Sequence, residues 1–318
     1  MSARHGAAPP LLVIAGATAT GKTGLSIAVA SALRANSVRA EIISADSRQV
    51  FRGMDIGTAK VPFDARAGVP HHGLDLAWPD EPFSVVDFVH HARTALAGIA
   101  ANGGLAILVG GTGLYLRAVA RGLDAAALPF DREVRAAIEA GLTRDGLGPA
   151  VARLRELAPV LSARIDLANP RRVARALEIA ELRGEVPAPA PLGYAAPVAW
   201  VGLRLPPPMH RERIANRARE QFDAGLIEEA CALRERYDPT LPAFSAIGYR
   251  EAWAVLDGRL TLEAAIELDT QRNVAFAKRQ ATWFRSEPGI EWPGASTTDP
   301  AELREHVLGI ARRLVAAP

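Results

Sequence analysis

Cysteine is almost absent from this chain of 318 residues, which contains only Cys231. A single cysteine cannot form a disulfide bond within the chain, and it cannot supply a cysteine-rich zinc site. The composition therefore argues against a small secreted protein stabilised by disulfide bonds. It agrees with the reducing cytoplasm, which is the location we expect.

Long apolar runs and a strong net charge are also missing. No apolar run reaches the length of a membrane-spanning helix, and residues 1–9 lack the apolar stretch of a signal peptide, so no membrane partner is expected. The net charge is only +2, so any binding of nucleic acid must come from local basic patches. Apolar residues make up 49% of the chain, which is typical of a globular protein.

One glycine-rich segment has the residues of a phosphate-binding loop. Gly16–Thr23 reads GATATGKT and fits the pattern G-x-x-x-x-G-K-[ST] of a P-loop. The apolar run Leu11–Ala15 before it predicts a buried strand, and Thr23–Ala35 has the apolar spacing of a helix. This arrangement directs backbone N–H groups, a helix N-terminus and the Lys22 ammonium at phosphate oxygens, while the Thr23 hydroxyl would be a ligand to Mg²⁺. By this motif the predicted phosphate ligands, with ATP as one candidate nucleotide, are Gly16, Ala17, Thr18, Ala19, Thr20, Gly21, Lys22 and Thr23.

An aspartate follows the second predicted strand. Ala40–Ala45 is mostly apolar and leads directly into Asp46. Because the carboxyl ends of parallel strands line the ligand crevice of an open α/β sheet, we expect Asp46 close to the glycine-rich loop. Three roles remain open for this carboxylate: a metal ligand, a general base, or a cap for the next segment. A glycine-punctuated loop follows it and is long enough to bind a ligand.

The pattern of strands and helices predicts an α/β fold, with a P-loop-type parallel sheet interrupted by an all-helical insertion. Ser84 is the predicted cap of a helix that runs to about Ala101, and Leu105–Val109 is a third buried strand before a second glycine turn at Gly110–Gly113. Strand patterns stop between 124 and 196. We therefore divide the chain into a first core part at 1–123, an insertion at 124–196 and a second core part at 197–318.

The second core part is predicted to contain basic helices. After a strand at Val198–Leu205, one long helix is expected from about Met209 to Arg236, then a loop at Phe244–Arg250. A further helix at Leu262–Arg285, capped by Thr261, has no acidic residue in its second half. Its mixture of cations and aromatic rings suits RNA with unpaired bases, although each single ring is more typical of a core residue.

Seven motifs in this order resemble those of the tRNA dimethylallyltransferase family, and they extend along nearly the whole chain. They are GATATGKT at 16–23, SADSRQVFRGMDIGTAK at 44–60, VPHHGLD at 69–75, GGTGLY at 110–115, NPRRVARALE at 169–178, IGYRE at 247–251 and AKRQ at 277–280. The two histidines of VPHHGLD have no partner at metal-ligand spacing, so we interpret them as hydrogen-bonding residues.

The resemblance implies transfer of a dimethylallyl group from dimethylallyl diphosphate to N6 of adenosine 37, in the anticodon loop of tRNAs that read UNN codons. It implies Asp46 as the general base with help from Thr18, Mg²⁺ as the cofactor, Arg250 as a further diphosphate ligand, and a monomer. Ser47 and Gln49 are the candidates for reading the adenine edge. The implied tRNA contacts are Asp46, Ser47, Arg48, Gln49, Thr112, Arg171, Arg172, Val173, Ala174, Arg175, Lys278 and Arg279.

The chain departs from the family pattern at a few positions. Ala17 stands where the family usually has proline, and Asn273-Val274 stands where it usually has Thr-Arg, with Arg272 as a possible substitute for the lost arginine. Ala158-Pro159 replaces a frequent Asp-Pro. The zinc finger of eukaryotic members is absent, which indicates a bacterial-type enzyme.

Other functions fit parts of the same pattern. A P-loop kinase of small molecules would use Asp46 to deprotonate a substrate hydroxyl and would consume ATP. A nucleotide-dependent RNA-binding module would use the basic helices without transfer chemistry. Prenylation of free adenine nucleotides is a third alternative, although a small substrate needs no basic insertion. The insertion has a basic edge at Arg164, Arg171, Arg172 and Arg175. Arg171 and Arg175 are one helical turn apart and can face one phosphate backbone together, and a solvated helix face is the alternative to this RNA contact.

Overall fold

The computed structural model describes residues 8–124, 127–185, 187, 190–293 and 299–317. The chain forms two compact units. The core unit comprises Met1–Gly122 and Gly193–Pro318, and the helical unit comprises Leu123–Leu192. No helix among these described residues is both long and apolar enough to cross a membrane.

The core unit is organised around a parallel sheet, which confirms the predicted α/β class. Its six strands lie in the order β3-β2-β4-β1-β5-β6, and every pairing is parallel. The central strands are buried on both faces because helices cover both sides of the sheet, which explains their continuous apolar sequences. The strands are β1 Leu11–Gly16, β2 Ala40–Ser44, β3 His71–His72, β4 Leu105–Gly110, β5 Val198–Leu203 and β6 Ile290–Glu291.

Helices α1 (Lys22–Ala35) and α12 (Pro300–Ala316) share one core with β1, β2, β4 and β5. Helix α2 (Val85–Ala101) packs against α3 (Gly113–Ala120), where the rings of Phe88 and Tyr115 stack with centroids 4.2 Å apart. Ser84 caps α2 as predicted, since its hydroxyl accepts from two backbone N–H groups of the first turn.

The long helix predicted from Met209 to Arg236 is wrong as a single element. The structure has two helices there, α8 (Pro207–Asp223) and α9 (Leu226–Arg236). The break falls at Gly225, whose φ of 101° is in the left-handed region that side chains other than glycine rarely adopt. A glycine directly after a helix is a usual stop signal, so the sequence contained the information.

The region after α9 also differs from the prediction in one respect. Residues 244–250 are not a loop throughout, because helix α10 (Tyr249–Leu256) begins at Tyr249 after a 3₁₀ turn at Pro242–Ser245. Helix α11 (Leu262–Arg285) has the predicted bounds, and the predicted cap Thr261 accepts from the N–H of Ala264 at 3.2 Å.

The helical unit has a core of its own. Its helices are α4 Arg132–Asp145, α5 Leu147–Leu157, α6 Pro159–Arg164 and α7 Pro170–Arg183, in agreement with the all-helical prediction. Ile138, Leu154 and Leu177 pack in its centre. The Glu178 carboxylate is fully buried and binds Arg135 and Arg175, and these hydrogen bonds lower its pKa against the desolvation that would raise it.

Candidate active site

The glycine-rich loop connects the end of β1 to the start of α1, as the motif predicts. Two contacts make its glycines necessary. A Cβ at Gly16 would lie 2.6 Å from the carbonyl oxygen of Leu203, and Gly21 has a φ of 90° at the N-cap of α1. Thr20 closes the loop from inside, since its hydroxyl donates to the Ala17 carbonyl oxygen at 2.9 Å.

Lys22 lies over this loop and is desolvated. Its Nζ donates to the carbonyl oxygen of Ala17 at 2.6 Å. Burial, and then the positive charge of Arg217, lower the pKa of Lys22 to about 7, while the charge of Asp46 acts in the opposite direction. The Lys22 amine is therefore only partly protonated without a ligand, and a bound anion would favour its charged form. This coupling favours the binding of phosphate.

Thr18 is the most connected residue of the loop. Its hydroxyl accepts from Nη1 of Arg217 at 2.9 Å, and its carbonyl oxygen accepts from Nε2 of His210 at 2.8 Å. Its N–H donates to Oε1 of Gln280 at 2.8 Å. Helices α8 and α11 thus meet at the one loop residue that the sequence resemblance assigns to catalysis.

Arg217 was missed by sequence reasoning. The guanidinium is desolvated, which lowers its pKa, and the negative charge of Asp46 is the largest effect in the opposite direction, ahead of Asp269. Its charge also acts on Lys22, so the three charged groups of this site lie within electrostatic reach of one another. In the sequence Arg217 is one of several arginines near the start of a helix, and nothing local distinguishes it.

Asp46 follows the carboxyl end of β2, next to the loop. Its Oδ1 accepts from the N–H of Arg48 at 2.8 Å and, over a longer 3.4 Å, from that of Gln49. The capping role that the sequence left open is therefore present. Among the described residues Oδ2 has no hydrogen-bond donor, so one carboxylate oxygen remains for chemistry.

The second glycine turn joins the ends of β2 and β4. Gly110 approaches so closely that a Cβ there would lie 2.1 Å from the carbonyl oxygen of Ala45. The Thr112 hydroxyl accepts from the N–H of Ser47 at 3.0 Å, and Gln280 donates to the Gly111 carbonyl oxygen at 2.9 Å. The Gln280 amide therefore bridges this turn and the glycine-rich loop.

Gln49 is occupied within its own loop. Its Oε1 accepts from the Ser44 hydroxyl at 2.9 Å, and its Nε2 donates to the carbonyl oxygens of Thr58 and Ala59. Both ends of the amide are used to shape the loop, so reading an adenine edge would require these bonds to break. The neighbouring Arg48 donates from Nη1 to the carbonyl oxygen of Pro242 at 2.9 Å.

Among the described residues no hydrogen bond or ion pair links Arg250 to the glycine-rich loop, so its role as a diphosphate ligand stays a prediction. Arg250 is exposed on α10 and lines a cavity of about 430 Å³ with Arg259 and Arg272. Arg272, the possible substitute for the lost arginine, donates to the buried Glu251 carboxylate at 2.5 Å, so one of its N–H groups is occupied there.

Two of the three departures from the family pattern, at Ala17 and at Val274, are neighbours in space. Ala17 belongs to a small apolar cluster with Ile214 and Ala277, and Val274 packs against the same cluster. Asn273 donates to the Asp269 carboxylate at 2.7 Å. An apolar contact thus covers the side of the loop where the family pattern places proline and arginine.

The basic residues proposed to bind tRNA fall into two groups. On α11, Lys278 and Arg279 are exposed, and the Arg279 guanidinium lies 5.7 Å from the ring centroid of the half-exposed Phe276. The core alternative holds for Phe284, which is 1% exposed. Trp283 is partly buried beside Arg117.

On α7, Arg171 and Arg172 are exposed, but the three following residues are not part of an exposed RNA-contacting face. Val173 and Ala174 are buried in the core of the helical unit. Arg175 donates to Glu178 at 2.6 Å and to the Pro129 carbonyl oxygen at 2.7 Å. A buried acid therefore occupies Nη1 of Arg175, and the contact of Arg171 and Arg175 with one phosphate backbone stays a prediction.

His71 and His72 form hydrogen bonds, as the sequence analysis expects. Nδ1 of His71 donates to the Val69 carbonyl oxygen at 2.8 Å, and Nε2 of His72 lies 2.8 Å from the Glu41 carboxylate. Their strand β3 forms the edge of the sheet beside β2.

These features define an α/β protein with a P-loop-like site at the carboxyl edge of a parallel sheet. Residues 49–287 match the family model described as IPP transferase. The chain belongs to the IPP transferase family and is an enzyme of the prenyltransferase class.

The similar proteins cover almost the whole chain. A protein of Symbiobacterium thermophilum named tRNA dimethylallyltransferase is 42% identical, over 89% of this chain and 88% of its own. One of the same name from Geobacillus kaustophilus is 40% identical and covers 96% of both chains. Among solved structures, a full-length tRNA isopentenylpyrophosphate transferase from Bacillus halodurans is 35% identical, with a TM-score of 0.69 and 96% coverage of each chain.

Proposed function

We propose that this enzyme is a tRNA dimethylallyltransferase that modifies N6 of adenosine 37 in tRNAs reading UNN codons, with dimethylallyl diphosphate as the donor. The names of its relatives support the activity. The observation that carries the proposal is the convergence of Thr18, Lys22, Asp46 and Arg217 at one edge of the sheet. This set combines cations for a diphosphate with a carboxylate for a proton.

The diphosphate of the donor binds at the glycine-rich loop in this proposal. The N-terminus of α1 contributes partial positive charge, and Lys22 becomes fully charged when an anion neutralises its surroundings. Arg217 is a further cation for the diphosphate in this proposal, since it contacts Thr18.

Mg²⁺ fits the available donors. The Thr23 hydroxyl lies in the exposed first turn of α1, beside the loop. Mg²⁺ commonly takes few protein ligands and completes its shell with substrate phosphate oxygens and water, so one hydroxyl and a diphosphate are a suitable set. The ion would neutralise charge on the leaving diphosphate.

The reaction breaks the bond between the allylic carbon and the diphosphate oxygen and forms a bond from that carbon to N6 of adenosine. N6 is a weak nucleophile because its lone pair is conjugated with the ring, so its proton must leave. The free Oδ2 of Asp46 takes this proton, and the Thr18 hydroxyl orients the reacting groups. Lys22 and Arg217 stabilise the negative charge that develops on the diphosphate.

The target adenosine reaches this site by leaving the base stack of the anticodon loop. Ser47, Arg48 and Thr112 lie beside Asp46, and in this proposal they contact the target adenosine. Exposed cations on each unit are available for the phosphate backbone. They are Lys278 and Arg279 in the core unit and Arg171 and Arg172 in the helical unit.

A transfer assay without ATP tests the proposal. The protein is mixed with Mg²⁺, labelled dimethylallyl diphosphate and unmodified tRNA, and the label is traced to individual nucleotides. Label on N6 of adenosine 37 supports donor, acceptor and reaction together. No label on RNA, together with ATP consumption in a second assay that contains ATP and small hydroxyl acceptors, would replace the proposal by the kinase alternative.

A further inference from the structure

Four side chains on the core unit form an alternating series of cations and aromatic rings that the active site does not use. Cζ of Arg52 lies 5.4 Å from the ring centroid of Trp78, and Cζ of Arg236 lies 5.7 Å from the same centroid. Arg236 also lies 5.5 Å from the ring of Tyr237. We call these four residues the aromatic–arginine ladder. Trp78 is 42% exposed, and both arginines are exposed.

The backbone holds the ladder in position. The N–H of Arg52 donates to the Ala77 carbonyl oxygen at 2.8 Å, and the N–H of Trp78 donates to the Glu81 carboxylate at 2.7 Å. Tyr237 is the C-cap of α9, and its ring centroid lies 6.4 Å from that of the fully buried Phe244. These bonds fix the backbone at Arg52 and Trp78, and the two guanidiniums restrict the Trp78 ring, so less conformational entropy is lost when another planar group stacks there.

The charge around the ladder favours base stacking over contact with a run of phosphates. Within the described residues, no carboxylate lies within 4.0 Å of the guanidinium of Arg52 or Arg236. Acidic residues nevertheless stand nearby in the chain, at Asp80, Glu81, Glu235 and Asp238. They would repel a phosphate backbone but not the face of a base, which both an aromatic ring and a guanidinium plane can stack against.

The ladder lies within reach of the active site. Arg52 is six residues after Asp46, so their Cα atoms are at most about 20 Å apart. A stacked strand advances about 3.4 Å per nucleotide, so that distance corresponds to at most about six nucleotides. An RNA segment that places one base at Asp46 therefore extends far enough to place a base within about six nucleotides of it at Arg52, whose guanidinium lies against Trp78.

We propose that the aromatic–arginine ladder binds an unpaired nucleotide of the RNA substrate, close in sequence to the nucleotide that reacts, by stacking its base. This inference rests on the proposed function, because it takes RNA as the substrate. The ladder acts on recognition and not on chemistry, and its residues are positioning residues for the RNA.

Binding of an anticodon stem-loop RNA to the full-length chain tests this inference. Trp78→Ala should weaken RNA binding about tenfold, which is within the usual effect of removing one stacking ring. Trp78→Phe should keep most of the affinity, since it keeps a ring. Arg236→Gln should weaken binding several-fold, and KM for RNA should rise while kcat at saturating RNA and KM for dimethylallyl diphosphate stay unchanged.

Arg204 supplies a matched control. It is exposed, and its Cζ lies 5.9 Å from the ring of Trp292, so Arg204→Gln removes the same charge from the same kind of pair elsewhere on the core unit. We expect this variant to bind RNA like the unmodified protein. If Arg204→Gln weakens binding as much as Arg236→Gln does, the effect is one of bulk charge and the inference is overturned.

Tryptophan fluorescence supplies a direct readout. RNA should quench the emission of the unmodified protein and protect it from acrylamide, and Trp78→Phe should remove most of both changes. Equal quenching in Trp78→Phe would overturn the inference. If the unmodified protein neither binds nor prenylates RNA, the proposed function itself fails. If it does both, and the Trp78 and Arg236 variants match it, only the ladder assignment fails.

Discussion

At the residue scale, the site contains charged groups whose pKa values depend on neighbouring charges and on burial. The charges of Arg217 and Asp46 act on the pKa of Lys22 in opposite directions, and the charge of Asp46 also acts on the pKa of Arg217. Burial and the Arg217 charge favour the neutral form of Lys22, and an anionic ligand favours its charged form. The chemistry of each residue therefore has to be tested in the presence of the other two.

Asp46→Asn should abolish most of the transfer activity. The amide oxygen can still accept from the Arg48 N–H, so the turn remains, but an amide cannot take a proton from N6. We expect a loss of about 10²–10⁴ in the rate of transfer with an RNA dissociation constant close to normal. Single-turnover rates and RNA binding measure the two effects.

An exposed aspartate of the same core unit, Asp64, provides the control, since Asp64→Asn should leave transfer unchanged. Activity that survives in Asp46→Asn would exclude this carboxylate as the general base. It would leave Asp46 with the turn-capping role that the structure already gives it.

Binding of dimethylallyl diphosphate should take up a proton above neutral pH. The pKa of Lys22 is lowered to about 7 in the empty loop, so the amine is mostly neutral at about pH 8.5. A bound diphosphate restores the charged form, so about one proton enters per ligand at that pH, and affinity falls as pH rises through 7. Calorimetry in buffers of different ionisation enthalpy measures this uptake.

Lys22→Arg is the comparison for this prediction, because an arginine stays charged throughout this pH range. The variant should bind without proton uptake above neutral pH. Equal uptake in both proteins would assign the proton to a group other than Lys22.

At the element scale, the sequence predicted what is local and missed what packing decides. The glycine-rich loop, α2 and α11 were predictable because motif, cap and apolar spacing lie within one stretch of chain. Arg217 was not, because only the packing of α8 against the loop selects it from the arginines of its helix. The burial of Val173 on α7 depends likewise on its neighbours α4 and α5.

Short strands escaped prediction for a different reason. The strands β3 and β6 contain two residues each, which is too short for any periodicity to show. Their strand character comes from pairing with β2 and β5, and therefore from the sheet and not from the sequence of either segment.

The loop after β2 packs against α9 and α10 so closely at Gly57 that no side chain fits there. A Cβ at Gly57 would lie 2.5 Å from the ring of Tyr249, which is fully buried and donates its hydroxyl to Glu229 at 2.8 Å. Glu229 also accepts from the N–H groups of Asp55, Ile56 and Gly57. One carboxylate therefore connects the loop to both helices.

Gly57→Ala should destabilise the core unit by about 1–3 kcal/mol, because the ring has nowhere to move. Gly98→Ala on α2 is the matched control, since a Cβ there meets nothing within 4 Å and alanine is the better helix former. Gly98→Ala should stabilise the fold by about 0.5–1 kcal/mol. Denaturant unfolding measures the change in unfolding free energy of each variant, and a Gly57→Ala protein as stable as its parent would refute the packing argument.

At the scale of the whole molecule, the chain leaves and re-enters the core unit at neighbouring points. The N–H of Gly193 donates to the Arg121 carbonyl oxygen at 3.0 Å, next to Gly122. The two points of the core unit at which the helical unit begins and ends in the chain are therefore joined by a hydrogen bond within the core unit.

A protein in which a short glycine-rich linker replaces residues 123–192 should still fold as a core unit. The linker has to span only one hydrogen-bonded contact, and the core cluster of the sheet contains no residue of the excised segment. Dimethylallyl diphosphate should bind to within a few-fold of normal, whereas RNA should bind more weakly because Arg171 and Arg172 are gone. Unchanged RNA affinity would exclude the helical unit from tRNA recognition.

The strand order also determines when β1 can complete its pairing during synthesis of the chain. β1 is a central strand that pairs with β4 on one side and with β5 on the other. Roughly 90 residues separate those two partners, which a ribosome needs about 5–20 s to add. During that interval one edge of β1 stands open on the nascent chain while the helical unit, whose contacts are local, is completed. A factor that shields open strand edges during translation would therefore have its main effect on this protein in that interval, before residue 203 leaves the exit tunnel.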